Sequence, residues 1–458
     1  MKILSAKDIS TMVEGKLLAN PEITINQVST DTRTLRKGAL FIAIKGDRFD
    51  GHDYLEQAVV NGAALVMVQD DTKISRDIPA ILVNDTLEAL VRLAAAYRKL
   101  FDIPMVAVTG SVGKTSTKEM IATILSARYN VHKSQGNFNN EIGLPLSVLE
   151  LDDTHEVAVF EMGMRGFDQI NLLSKIVRPQ IAIITNIGIS HIEKLGSRQN
   201  ILKAKLEVLE GLQEDGVVIL NGDDELLSGL KGLLKFKTLL YGINENLDLW
   251  AYDLISKGES GVDFHVKTPE KDMALSIAAP GIHNVHNALA GIAVAQILNM
   301  GENEIKKGLE GLTGTEMRLS IKDRNGIKYI NDSYNAAPDS VMAALDVLCE
   351  IAGKRRKWAV LGDMLELGEW AAEAHKKIGR LISQLGIEYM VGIGSLAKWY
   401  IEGIQEDCHS QTVAKLFDTI SDAKPYIQAL MQKGDVLLFK GSRVMKLDVL
   451  VDELLNEG

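Results

Sequence analysis

A glycine-rich loop near residue 110 has the residue types of a phosphate-binding turn. Its sequence is Thr109-Gly110-Ser111-Val112-Gly113-Lys114-Thr115-Ser116-Thr117. Glycines allow backbone N–H groups to face anionic oxygens, and a helix that begins at the loop adds partial positive charge. The Lys114 ammonium can neutralise outer phosphates, and the Thr115 hydroxyl is suited to bind Mg²⁺. The loop is therefore predicted to hold the phosphates of a nucleotide.

The sequence around this loop supports that prediction. Met105–Val108 is a short, apolar, β-branched run typical of a buried strand, and apolar residues recur at helical spacing over Met120–Leu125. Strand, glycine loop and helix is the order that a phosphate loop requires. The full pattern G-x-x-x-x-G-K-[ST] places a glycine where Val108 stands, so a plain glycine turn before a helix is the alternative.

Two further polar residues, Glu161 and His191, are candidate metal ligands. Nearly continuous apolar runs predict parallel strands covered by helices, and ligands bind at the carboxyl ends of such strands. Glu161 ends one run and His191 follows another. A carboxylate and the Thr115 hydroxyl suit Mg²⁺, whereas a histidine ligand suggests tolerance of Mn²⁺ or a second metal. The alternatives are a strand cap or surface ion pair for Glu161 and a structural role for His191.

A lysine lies within the apolar face of a helix predicted over Ser197–Leu212. At about 100° per residue, Lys205 falls at the centre of the apolar arc and Lys203 falls outside it. A buried ammonium is unfavourable unless it is paired or chemically altered. Alternatively, the stem packs while the ammonium extends to water. Further along, Asn284 and Asn287 share a first helical turn and could read a purine edge, with N-capping by Asn284 as the alternative.

The composition limits the class of protein. A net charge of −11 over 458 residues argues against nucleic acid as the main partner. No apolar run approaches the length of a membrane span, and the N-terminal residues have no apolar signal core. The two distant cysteines, Cys349 and Cys408, indicate neither a disulfide framework nor a metal motif. A reduced, cytoplasmic protein is expected.

Alternating strand and helix patterns predict an α/β fold of three domains. These are a small α/β N-terminal domain (1–102), a central P-loop-type domain with a mostly parallel sheet (103–312) and a C-terminal Rossmann-like α/β domain (313–458). No G-x-G-x-x-G follows a strand in the last domain, so a dinucleotide site is not expected there. Polar loops at 29–33 and 45–52 in the first domain suit a nucleotide or diphosphate, with solvated loops as the alternative.

Together these motifs resemble the Mur ligases, the ATP-dependent amide-forming enzymes of peptidoglycan precursor synthesis. The loop over residues 109–115 looks like the shortened phosphate loop of that family, which accounts for Val108. Other stretches extend the resemblance over essentially the whole chain: Gly136–Pro145, Asn331–Ser340, Leu361–Gly368 and Lys440–Arg443.

The resemblance implies a role for each candidate residue. ATP would be bound by Gly110, Ser111, Val112, Gly113, Lys114, Thr115, Ser116, Asn284, Asn287, Arg318 and Asp332. One or two Mg²⁺ ions would be held by Thr115, Glu161, His191 and Lys205, the last of them carbamylated. The catalytic residues would be Lys114, Lys205, His191 and Arg318. The first-domain residues that would bind the uridine nucleotide are Asp31, Thr32, Arg33, Lys45, Gly46, Asp47, Arg48 and Phe49. The remaining substrate residues would be Asn139, Asn140, Tyr334, Asn335, Lys440 and Arg443.

Within the family, these stretches favour the branch that joins D-alanyl-D-alanine to UDP-N-acetylmuramoyl-tripeptide. The Asp-Tyr-Ala-His-type sequence usual in third-residue-adding relatives is absent from Asn331–Asn335. Rival interpretations are the third-residue-adding enzyme, a folylpolyglutamate synthase, or a nucleotide-binding switch protein without catalysis. A monomer is expected, and the residue at the third stem position, lysine or diaminopimelate, is left open.

Overall fold

The N-terminal part of the chain is a small α/β unit. The computed structural model describes residues 1–46, 49–75, 77–269, 271–311 and 317–457. The strands of this unit are β1 (Leu4–Ser5), β2 (Lys16–Leu18), β3 (Thr24–Ile25), β4 (Gln27–Ser29), β5 (Ala39–Ile42), β6 (Ala63–Val68) and β7 (Ala80–Leu82). Its helices are α1 (Ala6–Val13), α2 (Leu55–Val60) and α3 (Thr86–Arg98). A five-stranded sheet has the order β2-β7-β6-β5-β4, parallel except at β2, and β1 pairs with β3 beside it.

The middle of the chain forms a nine-stranded sheet. Its strands are β8 (Met105–Thr109), β9 (Val131–Lys133), β10 (Val157–Glu161), β11 (Ile181–Ile184), β12 (Val217–Asn221), β13 (Lys237–Gly242), β14 (Leu249–Ser256), β15 (Val262–Lys267) and β16 (Asp272–Ile277). Its helices are α4 (Lys114–Leu125), α5 (Gly143–Leu149), α6 (Gln169–Val177), α7 (Ile192–Leu195), α8 (Arg198–Leu206), α9 (Glu225–Ser228), α10 (Ile282–Ile297) and α11 (Glu302–Glu310). The order is β16-β15-β14-β13-β12-β11-β8-β10-β9, and only the two pairings that involve β15 are antiparallel.

The C-terminal part forms a six-stranded sheet of its own. Its strands are β17 (Ser320–Arg324), β18 (Ile327–Asn331), β19 (Lys357–Gly362), β20 (Tyr389–Ile393), β21 (Val413–Phe417) and β22 (Val436–Lys440). Its helices are α12 (Pro338–Ala352), α13 (Ala371–Gln384), α14 (Lys398–Gln405), α15 (Ile420–Leu430) and α16 (Leu447–Glu457). The order is β17-β18-β22-β19-β20-β21, with only β17 antiparallel. The three-domain α/β fold expected from the sequence is confirmed.

Strand β8 shows why the central strands read as continuous apolar runs. Its side chains alternate between two buried clusters: Met105 and Ala107 face one, and Val106 and Val108 face the other. Both faces of the sheet are therefore covered by helices. β8 lies between β10 and β11, where the chain changes the direction in which it adds strands. Such a switch point opens a crevice at the carboxyl ends of the strands, which is where the glycine loop leaves β8.

One predicted helix boundary is wrong, and one predicted domain boundary falls on residues that the structure does not describe. The helix predicted over Ser197–Leu212 is wrong in its second half, because the α-helix ends at Leu206 and continues as a 3₁₀ turn over Glu207–Glu210. The predicted domain boundary between Leu312 and Thr313 lies outside the described residues. Among the described residues, no helix has both the length and the apolar character needed to cross a bilayer.

Candidate active site

The glycine loop makes a tight turn between β8 and α4. Gly110 has φ +154° and Gly113 has φ +83°, which L side chains rarely adopt. A Cβ at Gly110 would overlap the Thr185 hydroxyl. Asn186 supports the turn, since its Oδ1 accepts hydrogen bonds from the backbone N–H groups of Ser111 (3.1 Å) and Val112 (2.9 Å). The loop is thus held by the end of the neighbouring strand.

Lys114 is the first residue of α4 and folds over the loop. Its ammonium donates to the carbonyl of Gly110 at 2.8 Å and to that of Ser111 at 3.3 Å. Desolvation lowers the pKa of Lys114, while nearby Glu161 opposes this shift and nearby Arg318 adds to it. The cation is therefore surrounded by oxygen acceptors of the turn that is predicted to receive phosphate.

Glu161 ends β10 as the sequence predicts and is buried, with 2% of its surface exposed. Its two carboxylate oxygens take different partners. Oε2 accepts from the Thr115 hydroxyl at 2.7 Å, and Oε1 accepts from the Asn139 amide at 2.8 Å. Two oxygen ligands suited to Mg²⁺ therefore converge beside the loop, together with a residue predicted to contact substrate.

Arg318 reaches this cluster from the C-terminal domain. Its Nη2 lies 3.0 Å from the Thr115 hydroxyl, although the two residues are 203 positions apart in sequence. The guanidinium also stacks over the Tyr334 ring at 4.2 Å from the centroid. A cation from one domain and the phosphate loop of another thus share one face of the cleft.

His191 makes a second contact between the domains. It follows β11 with φ +63°, and its Nδ1 lies 2.5 Å from Oε2 of Glu366 in the C-terminal domain. The histidine is the strongest cause of a lowered pKa at Glu366. The contact does not have hydrogen-bond geometry, but it places a carboxylate beside the imidazole, where outer-shell carboxylates lie at metal-ligating histidines.

Lys205 is buried on α8, with 2% of its surface exposed, whereas Lys203 is exposed. Desolvation lowers the pKa of Lys205 well below its usual value, and repulsion from Lys114 adds to the shift. Among the described residues, none forms a hydrogen bond or an ion pair with the Lys205 ammonium. The lysine that the helical arc places among apolar residues is therefore buried, and its burial penalises the charged form.

The two asparagines lie on the first turns of α10 and are linked to α4. The Asn287 amide donates to Asn284 Oδ1 at 3.0 Å, and Asn287 Oδ1 accepts from the Thr117 hydroxyl at 2.9 Å. Asn284 does not cap the helix: the N-cap is Gly281, and the Asn284 amide donates to the Pro280 carbonyl. The N-capping alternative is therefore wrong.

The C-terminal candidates surround the start of α12. The Lys440 ammonium lies 2.5 Å from Asp332 Oδ2 and 3.1 Å from the Asn335 carbonyl oxygen, so it is already paired. Arg443 is more available, with 53% of its side chain exposed and a 3.0 Å contact to Asp448. Of these two cations, Arg443 is the better placed to meet an anionic group in the cleft.

A cavity of about 850 Å³ lies between the middle and C-terminal domains. It brings together most of the predicted site residues, namely Ser111, Val112, Gly113, Lys114, Thr115, Ser116, Asn139, Asn140, Glu161, His191, Asn284, Asn287, Arg318, Asp332, Tyr334, Asn335, Lys440 and Arg443. Gly110 and Lys205 do not line it, although Lys205 lies close enough to repel Lys114. Among the described residues, no three His, Cys, Asp or Glu side chains form a ready metal cluster.

The first-domain candidates that the structure describes do not line this cavity. Arg33 is highly exposed and pairs with Asp31, at 2.6 Å. Phe49 is half exposed and stacks on Tyr54 with ring centroids 4.8 Å apart. Thr32 is the first residue of a 3₁₀ turn. Lys45 forms an isolated antiparallel β-bridge with Asp50, and Gly46 follows it. Asp47 and Arg48 lie outside the described residues.

Several residues that line the cavity were not assigned a role from the sequence, and three polar ones among them have informative positions. Asn186, Glu366 and Asp339 all line the cavity. Asn186 and Glu366 follow strands β11 and β19, so the strand-end rule could have found them. Asp339 is the second residue of α12. An acidic residue at this position commonly stabilises the helix by its interaction with the helix dipole, and the sequence gives no sign of a further role.

Family models match most of the chain. The model described as Mur ligase middle domain matches residues 108–295, the Mur ligase glutamate ligase domain matches 317–443, and the Mur ligase family catalytic domain matches 24–100. These segments include the glycine loop, Glu161, His191, Lys205 and Arg318.

Individual relatives match over nearly the full length. A protein of Bacillus subtilis named UDP-N-acetylmuramoyl-tripeptide–D-alanyl-D-alanine ligase is 42% identical, covering 99% of this chain and 98% of its own. The crystal structure of MurF from Acinetobacter baumannii aligns over 100% of both chains with 32% identity and a TM-score of 0.91. MurF from Thermotoga maritima, solved with ADP, has 26% identity and a TM-score of 0.82, covering 94% of this chain and 97% of its own.

Proposed function

Because this chain belongs to the Mur ligase family, we propose that it joins D-alanyl-D-alanine to UDP-N-acetylmuramoyl-tripeptide with conversion of ATP to ADP and phosphate. The product is the pentapeptide precursor used in peptidoglycan synthesis. The observation that carries the proposal is the 3.0 Å contact between Arg318 and Thr115, which joins a C-terminal cation to the phosphate loop at one cavity.

The reaction proceeds through an acyl phosphate. The tripeptide carboxylate attacks the γ-phosphorus of ATP, and ADP leaves. The amine of the dipeptide then attacks the acyl carbon, and phosphate leaves. Two anions must meet in the first step, so positive charge at the loop has to offset their repulsion. Lys114 of the loop and Arg318 of the C-terminal domain, which contacts the neighbouring Thr115, supply this charge.

The residues near the loop fit a magnesium ion. We assign Thr115, Glu161 and His191 to it, because the hydroxyl and the carboxylate lie 2.7 Å apart and all three residues line the same cavity. When bound, Mg²⁺ supplies positive charge that stabilises the phosphoryl oxygens. Since this set is small, phosphate oxygens and water would complete the coordination when the ion is bound.

Lys205 fits carbamylation for a separate reason. Carbon dioxide reacts only with a neutral amine, and burial lowers the pKa of Lys205, which makes this form more accessible than in an exposed lysine. The carbamate would turn an unpaired buried cation into an oxygen ligand for a second magnesium ion. The chemistry of the modification therefore relieves the cost of burying the ammonium.

The remaining assignments extend the proposal to the whole chain. Asn284 and Asn287 contact adenine, and Asp332 reaches the nucleotide from the C-terminal domain. The loops at 31–33 and 45–49 bind the uridine nucleotide, and Asn139 and Asn140 lie by its sugar or diphosphate. Tyr334, Asn335, Lys440 and Arg443 face the dipeptide. We also propose domains at 1–102, 103–312 and 313–458, a monomer and a cytoplasmic location.

The dependence of ADP formation on the acceptor amine tests the proposed function. With ATP, Mg²⁺ and UDP-N-acetylmuramoyl-tripeptide present, we expect ADP formation to depend on D-alanyl-D-alanine and to remain near background with L-lysine, diaminopimelate or glutamate. Tripeptides that end in lysine and in diaminopimelate should be compared as donors, which determines the preferred third residue. Dependence on lysine or diaminopimelate as acceptor would favour a third-residue-adding enzyme. Tight ATP binding without any amide product would favour a binding protein.

A further inference from the structure

The carboxylate of Asp339 faces the phosphate loop across the cleft. Asp339 is the second residue of α12 and lines the cavity from the C-terminal side. A Cβ added at Gly188 would collide with Asp339 Oδ2 and would also touch Ser111 Cβ at 3.4 Å. Gly188 of the middle domain therefore lies next to both the phosphate loop and the Asp339 carboxylate.

This carboxylate lacks a direct partner. Within the described part of the chain, no side chain or backbone group forms a hydrogen bond or ion pair with it. Desolvation is the largest influence and raises the pKa of Asp339. Lys377 on α13 and Arg198 on α8 oppose the shift, and Asp224 adds to it. An unpaired acid with a raised pKa in a cavity is suited to accept a proton.

The chemistry of the second substrate matches this arrangement. A carboxylate beside a triphosphate site is unfavourable unless a cation lies between them. D-alanyl-D-alanine carries an ammonium group at one end and a carboxylate at the other. Asp339 offers a negative group, and Arg443, on the same cavity, offers a positive one. The cavity can therefore hold the dipeptide as a zwitterion with its nitrogen toward the loop.

We infer that Asp339 binds the ammonium group of the amine substrate and removes its proton before attack on the acyl phosphate. This inference rests on the proposed function. One proton passes from the ammonium to the Asp339 carboxylate, which frees the nitrogen lone pair. The C–N bond then forms, the C–O bond to phosphate breaks with its electron pair on oxygen, and the second proton leaves with the phosphate.

Asp339→Asn separates amide formation from acyl-phosphate formation. We expect kcat/KM for D-alanyl-D-alanine to fall about 10²-fold or more, with KM for ATP unchanged. Hydroxylamine is uncharged at pH 7 and needs no proton acceptor, so hydroxamate should form at the wild-type rate. The remaining amide rate of the variant should rise about tenfold per pH unit, following the free amine, while that of the wild type stays flatter.

Two matched variants exclude a purely structural effect. Asp346→Asn removes a carboxylate two turns along α12 and outside the cavity, and it should keep wild-type kinetics. Asp339→Glu keeps the charge and should retain the pH profile of the wild type at a lower rate. It also tests the inference if Asp339→Asn does not fold.

Three results would overturn the assignment. Unchanged acceptor kinetics in Asp339→Asn would exclude Asp339 as the proton acceptor. Loss of hydroxamate together with a higher KM for ATP would place the residue with the nucleotide instead. If the unmodified protein forms no hydroxamate from ATP and UDP-N-acetylmuramoyl-tripeptide, the proposed function itself fails and the inference falls with it.

Discussion

Replacing Lys114 with alanine should abolish ligase activity, with kcat/KM for amide formation reduced at least about 10³-fold. Lys114 is the cation at the start of α4, and its ammonium lies 2.8 Å from the Gly110 carbonyl inside the turn. Without it, the loop loses the charge that lets a carboxylate approach a triphosphate. Product formation followed by mass spectrometry, with ADP release as a second readout, measures the loss.

The effect should be specific to this lysine. Lys114→Arg keeps the charge but not the compact ammonium, so it should also be severely impaired. Lys175→Ala removes an exposed lysine of α6 and should leave activity and the thermal unfolding midpoint near the wild-type values. If Lys114→Ala retained more than about a tenth of wild-type activity, the glycine loop would not be the site of phosphoryl transfer.

Lys205→Ala should lose activity by about 10²-fold or more, and a short carboxylate should restore part of it. The reason is that Lys205 is buried without a partner among the described residues, and its lowered pKa favours the amine that carbon dioxide modifies. Formate or acetate can enter the space left by the side chain and replace the carboxylate-like oxygens. Rates measured against formate concentration at fixed Mg²⁺ test this expectation.

Lys203→Ala supplies the matched control. It lies on the same helix but is exposed, so its activity should equal that of the wild type and should not respond to formate. Mass spectrometry of the intact wild type under carbon dioxide would show the added carbamate directly. Full activity of Lys205→Ala without any additive would remove Lys205 from the mechanism.

The parallel strands were predictable because burial on both faces leaves an unambiguous apolar signal. The apolar run at Met105–Val108 is observed as β8 (Met105–Thr109), and the run that Glu161 ends is observed as β10 (Val157–Glu161). Strand β21 has no such signal, because it lies at the edge of its sheet and its residues are exposed or half buried. The predicted helix over 197–212 failed because apolar periodicity does not distinguish an α-helix from a 3₁₀ turn that continues the same buried face.

Residues of the candidate site that follow a strand could be located from the sequence, whereas contacts between two domains could not. Glu161 and the glycine loop were placed from local pattern alone. The contacts of Arg318 with Thr115 and of Glu366 with His191 join residues far apart in sequence. Asp339 could not be recognised as a functional residue from the sequence, because acidic residues are common in the first turn of a helix for electrostatic reasons. Sequence periodicity carries no information about which side chains meet across a cleft.

The fate of the donor oxygen tests the central claim most directly. UDP-N-acetylmuramoyl-tripeptide labelled with ¹⁸O in its terminal carboxylate should be converted with ATP and D-alanyl-D-alanine by the unmodified protein. An acyl phosphate requires one labelled oxygen to move from the carboxylate to phosphate for each amide formed. Phosphate that carries this label would match the account, whereas unlabelled phosphate released alongside the amide would contradict it.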